Sequence, residues 1–176
     1  MEDDETRRLV AVVATARTES EAEEAWVRLR LLGVDVVPYL AAAYPTATRY
    51  QGRVRLVFHS IRYARTSQDA FGLGMEAVSD RATLVRYRAC QVLAYSLRHD
   101  AIRVLRDALG HPDRETAEDA RAAIRAITAG NHHLFVDRTE SGSTRWIVNP
   151  EDDQIAAQAN SSSPTPDRWY RRLLRR

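Results

Sequence analysis

The residues best equipped for chemistry are His132 and His133, adjacent in the chain and close to Asp137 and Glu140. Imidazole with carboxylate can hold a transition metal or shuttle a proton. The spacing argues against both. Adjacent residues of an extended segment point to opposite faces, so two neighbouring imidazoles reach one ion only across a bulge, and no third ligand follows at an interval used by zinc sites. Cys90 is the only cysteine and falls inside an apolar helical pattern, which leaves neither a disulfide framework nor a thiolate metal site within the chain. Gly72-Leu73-Gly74 lacks the rest of either phosphate-binding fingerprint, and a nucleophile elbow is missing. No catalytic, cofactor-binding or metal-binding residue is assigned, and the expected role is non-enzymatic.

Binding chemistry remains, and it depends on the elements that carry the side chains. Apolar residues recur at helical spacing almost throughout. The pattern predicts helices over residues 6–16 and 21–32, with Thr18 or Ser20 as a cap and Gly33 as a stop. Beyond Gly33 a unit of one short and one long helix repeats. The short helices are expected at 34–44, 68–78 and 101–109, and the long ones at 46–65, 80–98 and 113–129. Val54-Arg55, Val85-Arg86 and Ala120-Arg121 recur at spacings of 31 and 35 residues, a solenoid period. Inward stripes are read as Val54, Val57, Phe58 and Ile61, then Val85, Ala89, Val92 and Leu93, then Ala120, Ala123, Ile124 and Ile127.

Residues 101–113, AIRVLRDALGHPD, resemble the first helix and turn of a HEAT repeat. Leu84-Val85-Arg86-Tyr87-Arg88-Ala89 resembles the start of a second helix, and Val36-Val37-Pro38-Tyr39-Leu40 fits a first helix kinked at Pro38. The resemblance covers about residues 34–129 and departs from the pattern at Gly72 and Gly74, which are expected to interrupt the middle unit's first helix. It implies an all-α fold: a short right-handed α-solenoid of HEAT-like helical pairs.

After Gly130 the pattern turns extended. Residues 133–138 and 144–148 flank Thr139-Glu140-Ser141-Gly142-Ser143, which predicts a C-terminal β-hairpin over 133–148 capping the last pair through Trp146 and its neighbours. A short helix is expected over 150–159. The domain is drawn as 1–159, followed by a flexible Ser/Pro linker and basic tail over 160–176.

In a HEAT-like stack the outward faces of the long helices line one concave surface. The candidate partner-binding residues there are Arg55, His59, Arg62 and Tyr63, then Tyr87, Gln91, Tyr95 and Arg98, then Arg121 and Arg125. Arginine and tyrosine are enriched in binding hot spots. The same residues also suit an ordinary solvated face, and both readings stay open. All 26 basic residues are arginine, which fits a GC-rich genome as well as carboxylate or phosphate pairing. Residues 1–35 carry nine acids against five bases and residues 36–130 nine against fourteen, so the middle of the chain is basic.

The leading expectation is a protein-binding module or adaptor whose partner offers an acidic patch. In size and build the chain resembles bacterial immunity proteins that neutralise a cognate toxin, so a toxin or effector is the expected partner. The alternative is nucleic-acid binding, as in HEAT-like proteins of the DNA glycosylase kind. A net charge of +2 is modest for a phosphate-dominated interface. The start MEDDETRR lacks the basic and apolar regions of a secretory signal, and no apolar run is long enough to span a membrane. A reducing cytoplasm is expected, with no membrane partner and no cofactor.

Overall fold

A computed structural model describes residues 2–152, and every regular element among them is helical. The chain forms α1 (Asp3–Thr15), α2 (Glu19–Leu29), α3 (Val37–Ala43), α4 (Tyr50–Ser60), α5 (Gln68–Ala77), α6 (Thr83–Ser96), α7 (Ile102–Ala108) and α8 (Arg114–Thr128), with short 3₁₀ turns between several of them. Polar side chains satisfy amides that a helix start leaves free. Thr18 accepts from the Glu21 N–H, Ser67 from Ala70 and Asp113 from Glu115. None of the helices among the described residues is long and apolar enough to cross a membrane.

Helices α3 and α4 pack together, as do α5 with α6 and α7 with α8. The second members also touch in order, α4 on α6 and α6 on α8, while α1 packs against α2, α3 and α4. Small residues permit the close crossings. A Cβ on Gly52 would lie 1.8 Å from the Ala14 carbonyl oxygen, so α4 meets α1 backbone to backbone. Neither Gly72 nor Gly74 interrupts α5; Gly74 has a packing role instead. A Cβ there would lie 2.6 Å from Val92 Cγ1, so the glycine serves the contact with α6. Val57, Ile61, Val85, Ala89, Val92, Leu93, Ala120, Ala123 and Ile127 are buried, but Phe58 of the same expected stripe is 47% exposed.

An arginine–aspartate arrangement recurs along the pairs. Arg53 on α4 donates from Nε and Nη2 to Asp80 at 2.7 and 3.1 Å, and from Nη1 to the Ala47 and Thr48 carbonyls at 3.0 Å each. Arg86 on α6 donates to Asp113 at 2.6 Å and to the Asp80 carbonyl at 2.8 Å. In both cases the carboxylate lies 27 residues ahead and a bonded carbonyl 6 residues behind. The two sets are 33 residues apart, 53 to 86 and 80 to 113. Carboxylate and carbonyl acceptors take up the donors of both buried guanidinium groups, which offsets the cost of withdrawing them from water. This register differs by two residues from the one read off Val54-Arg55 and Val85-Arg86: Arg53, not Arg55, is the counterpart of Arg86.

The hairpin expected over 133–148 is replaced by a 3₁₀ turn at His132–Phe135 and an irregular return segment, with no strand among the described residues. Side chains there do what a strand ladder would have done. Asp137 accepts from the Ser141 and Gly142 amides at 3.1 and 2.7 Å and curls the loop. His133 Nδ1 accepts from the Trp146 N–H at 3.0 Å, and His132 Nε2 meets the Trp146 carbonyl at 2.9 Å. Local side-chain bonds of this kind compete with sheet pairing. The linker and tail expected over 160–176, and most of the short helix expected over 150–159, lie outside the described residues.

Candidate functional site: two clefts beside Tyr87 and Arg88

Two adjacent residues of α6, Tyr87 and Arg88, stand between two surface clefts. The smaller cleft, about 280 Å³, lies between α2, α4, α6 and the return segment, with Trp26, Phe58, His59, Arg62, Arg88, Gln91 and Trp146 in its lining. The larger, about 760 Å³, runs between α6 and α8 and is lined by Leu84, Tyr87, Glu115, Glu118, Asp119, Arg121, Arg125 and Arg138 among others.

The smaller cleft is walled by rings. Trp26 stacks on His59 with centroids 3.8 Å apart. Burial, reinforced by the nearby Arg55 charge, pushes the His59 imidazole down to about 4, so it is neutral near pH 7. The Arg88 guanidinium lies 4.7 Å from the Phe58 ring centroid and 5.4 Å from that of Tyr87. Arg88 donates from Nη1 to Gln91 Oε1 at 2.7 Å, and its buried Nε has no hydrogen-bond acceptor among the described residues. Desolvation lowers its pKa, and no carboxylate pairs with it among the described residues. Arg62, exposed at the same cleft, reaches only the Asn149 amide oxygen among the described residues, at 3.4 Å. Among the described residues, no carboxylate side chain lines this cleft.

A buried polar cluster holds the far wall in place. Asp152, fully buried, accepts from the Val148 and Asn149 amides at 2.9 and 2.8 Å, from Arg65 Nη1 at 2.9 Å and from the Tyr95 hydroxyl at 3.1 Å. Burial alone would raise its pKa, but these donors and the His132 and Arg65 surroundings hold it below the usual carboxylate range. Arg65 Nη2 also donates to His132 Nδ1 at 2.9 Å, so the His132 proton sits on Nε2 and points to the Trp146 carbonyl. Burial, followed by the neighbouring His133, drives His132 down to about 4. The two histidines are structural brackets for Trp146, and the described residues hold no group of three or more potential metal ligands.

The expected partner-binding residues divide by location. His59, Arg62 and Gln91 line the smaller cleft, while Tyr87, Arg121 and Arg125 line the larger. Arg125 nevertheless directs its terminal nitrogens to the carbonyls of Leu134, Asp137 and Arg138 and to Glu140, which ties down the return segment. Arg55 is buried and bound to Glu19 and to the Val13 and Ala16 carbonyls. Tyr95 is fully buried over Asp152. Arg98 lies 3.8 Å over Phe71 and bonds Gln68 and Asp100, outside both clefts, and Tyr63 is half-buried outside both. Sequence reading missed Trp26, Phe58, Arg88 and Trp146. Arg88 carries no signal in the sequence that separates it from its neighbours Arg53, Arg55 and Arg86.

Compared with protein-family models, with curated proteins and with solved structures, the chain matches none of them.

Proposed function

We propose that this chain is a non-enzymatic, HEAT-like helical-repeat module that binds another protein across the face formed by the two clefts. One observation carries the reading. Phe58, Leu84 and Ile147, each close to half exposed, edge or line this face together with Arg88, a partly desolvated cation without an acid partner among the described residues. Apolar side chains around an underused arginine are the composition of a binding hot spot. The recurrence of the Arg53–Asp80 and Arg86–Asp113 pairs supports stacked repeats as the scaffold, and a scaffold of that kind offers a rigid surface at little ordering cost. A toxin or effector neutralised in the manner of the immunity proteins is the partner class we favour.

A photo-crosslinking residue placed at Leu84, and separately at exposed Arg106 as a control, tests this in native lysate treated with nuclease. A discrete protein adduct from position 84 and none from position 106 is the expected result. Equal labelling at both positions, or adducts that vanish with nuclease, would reject the reading and favour nucleic acid.

A further inference from the structure

Resting on the protein-binding reading, we infer that the smaller cleft is a receptor for one carboxylate side chain, an aspartate or glutamate flanked by an apolar residue, presented by the partner protein. The repeat register identifies what is missing. Arg55 and Arg88 each stand two residues after a paired arginine, Arg53 and Arg86, and are therefore equivalent positions 33 residues apart. At Arg55 the position is filled: Glu19 sits 2.6 Å from Nη2 and 3.2 Å from Nε. At Arg88 the amide oxygen of Gln91 is the only acceptor among the described residues, and Nε has none. A guanidinium withdrawn from water gains most from an ionised, bidentate acceptor.

The size and walls of the cleft narrow the occupant. About 280 Å³ is below the usual range for drug-sized ligands and suits a side chain or two. Trp26, Phe58 and Trp146 supply apolar contact beside the charge, and Arg62 at the same cleft adds a second cation for steering. Nucleic acid fits less well. A duplex needs a row of free cations, whereas the adjoining cleft sets Glu115, Glu118 and Asp119 against Arg121, Arg125 and Arg138, the last two already bonded within the chain.

The test uses the full chain with ¹⁵N-labelled arginine and tryptophan and two capped tripeptides, Phe-Glu-Phe and Phe-Gln-Phe. Phe-Glu-Phe is expected to shift the Arg88 Nε–H and the Trp26 and Trp146 indole signals saturably, and Phe-Gln-Phe to bind about tenfold more weakly or worse. The preference should vanish in Arg88→Gln and shrink less in Arg62→Gln. If Arg88→Gln does not fold, the ratio of the two peptides on the parent chain decides alone. Equal binding of the peptides would overturn the inference. So would absence of saturable shifts at millimolar peptide, the result expected if residues 153–176 filled the cleft. Inorganic phosphate or duplex DNA binding as well as Phe-Glu-Phe would also reject it, as would peptide-free shifts that grow with protein concentration, which would put a second copy there. Because this assay needs no lysate, glutamate selectivity without a crosslink at Leu84 would keep the receptor and remove the protein-interface reading. A crosslink without selectivity would do the reverse.

Discussion

Asp152→Asn should loosen the return segment that forms one wall of the smaller cleft. The carboxylate accepts two backbone amides on Oδ2, while Oδ1 accepts from Arg65. An asparagine can keep its carbonyl toward Val148 and Asn149, but its NH₂ then faces the Arg65 guanidinium, donor against donor, and the Tyr95 hydroxyl must turn from donating to accepting. Removing one partner of a buried ion pair typically costs about 3 to 5 kcal/mol. Arg65 is 22% exposed and retains the Tyr95 carbonyl at 3.0 Å and a stack on the Tyr95 ring at 4.0 Å. We therefore expect the low end, about 3 kcal/mol, against a total of roughly 5 to 15 for a domain. Urea unfolding followed by circular dichroism measures the loss, and hydrogen exchange at the Val148 and Asn149 amides localises it. In the double variant Arg65→Met with Asp152→Asn, part of the stability should return, because no uncompensated charge remains. If Asp152→Asn changes stability by less than about 0.5 kcal/mol and leaves those two amides protected, Asp152 is not the anchor.

Three further outcomes follow from the same geometry. His59 and His132 are both depressed to about 4, so each is neutral in the fold but takes up a proton more readily when unfolded. Their contribution is intact above the unfolded value near 6.5 and is lost as pH falls toward 4, with a slope near pH 5 of about 1.4 kcal/mol per pH unit for each proton. His59→Phe should lower the slope measured by urea unfolding from pH 6.5 to 4, and an unchanged slope would show that His59 does not titrate this way. Gly52→Ala should cost several kcal/mol because its Cβ would collide with the Ala14 carbonyl, whereas Gly72→Ala, at an exposed position of α5 with nothing within 4 Å, should stabilise by up to about 1 kcal/mol. Equal melting temperatures for the two variants would contradict the α1–α4 crossing. Trp146→Ala, at a half-buried ring packed on Tyr95 and Phe135, should cost about 2 to 3 kcal/mol in the same unfolding assay, and a parent-like midpoint would refute that packing.

The helices were legible because apolar spacing at 3.6 residues survives any change of register. Helix α8 is the clearest case, with Ala120, Ala123 and Ile127 on one buried stripe. Gly74 was misread because a helix breaker and a close-contact residue are the same amino acid, and only the position of Val92 separates the two. The return segment was misread for a related reason. Phe135, Val136, Trp146, Ile147 and Val148 have strand composition, but Asp137, His132 and His133 bind the backbone groups that a ladder would have used. Propensity is local, and the competing acceptors are revealed only once the chain has turned.

Recognising the site demanded knowing which arginines were already occupied, and residue type alone cannot supply that. Four arginines of α4 and α6 look alike in sequence, and Arg53, Arg55 and Arg86 find carboxylates 27 residues ahead or 36 behind. The same offsets from Arg88 reach Glu115 ahead and Gly52 behind. Glycine offers no acceptor side chain, and Glu115 lines the other cleft without pairing with Arg88. A two-residue error in register is therefore enough to choose Arg55 as the binding residue and overlook Arg88. The repeat makes the correction a matter of arithmetic: once Arg53 is aligned with Arg86, the occupied and unoccupied members of the next pair, Arg55 and Arg88, fall into line, and the cleft beside Arg88 is where an outside carboxylate has room to act.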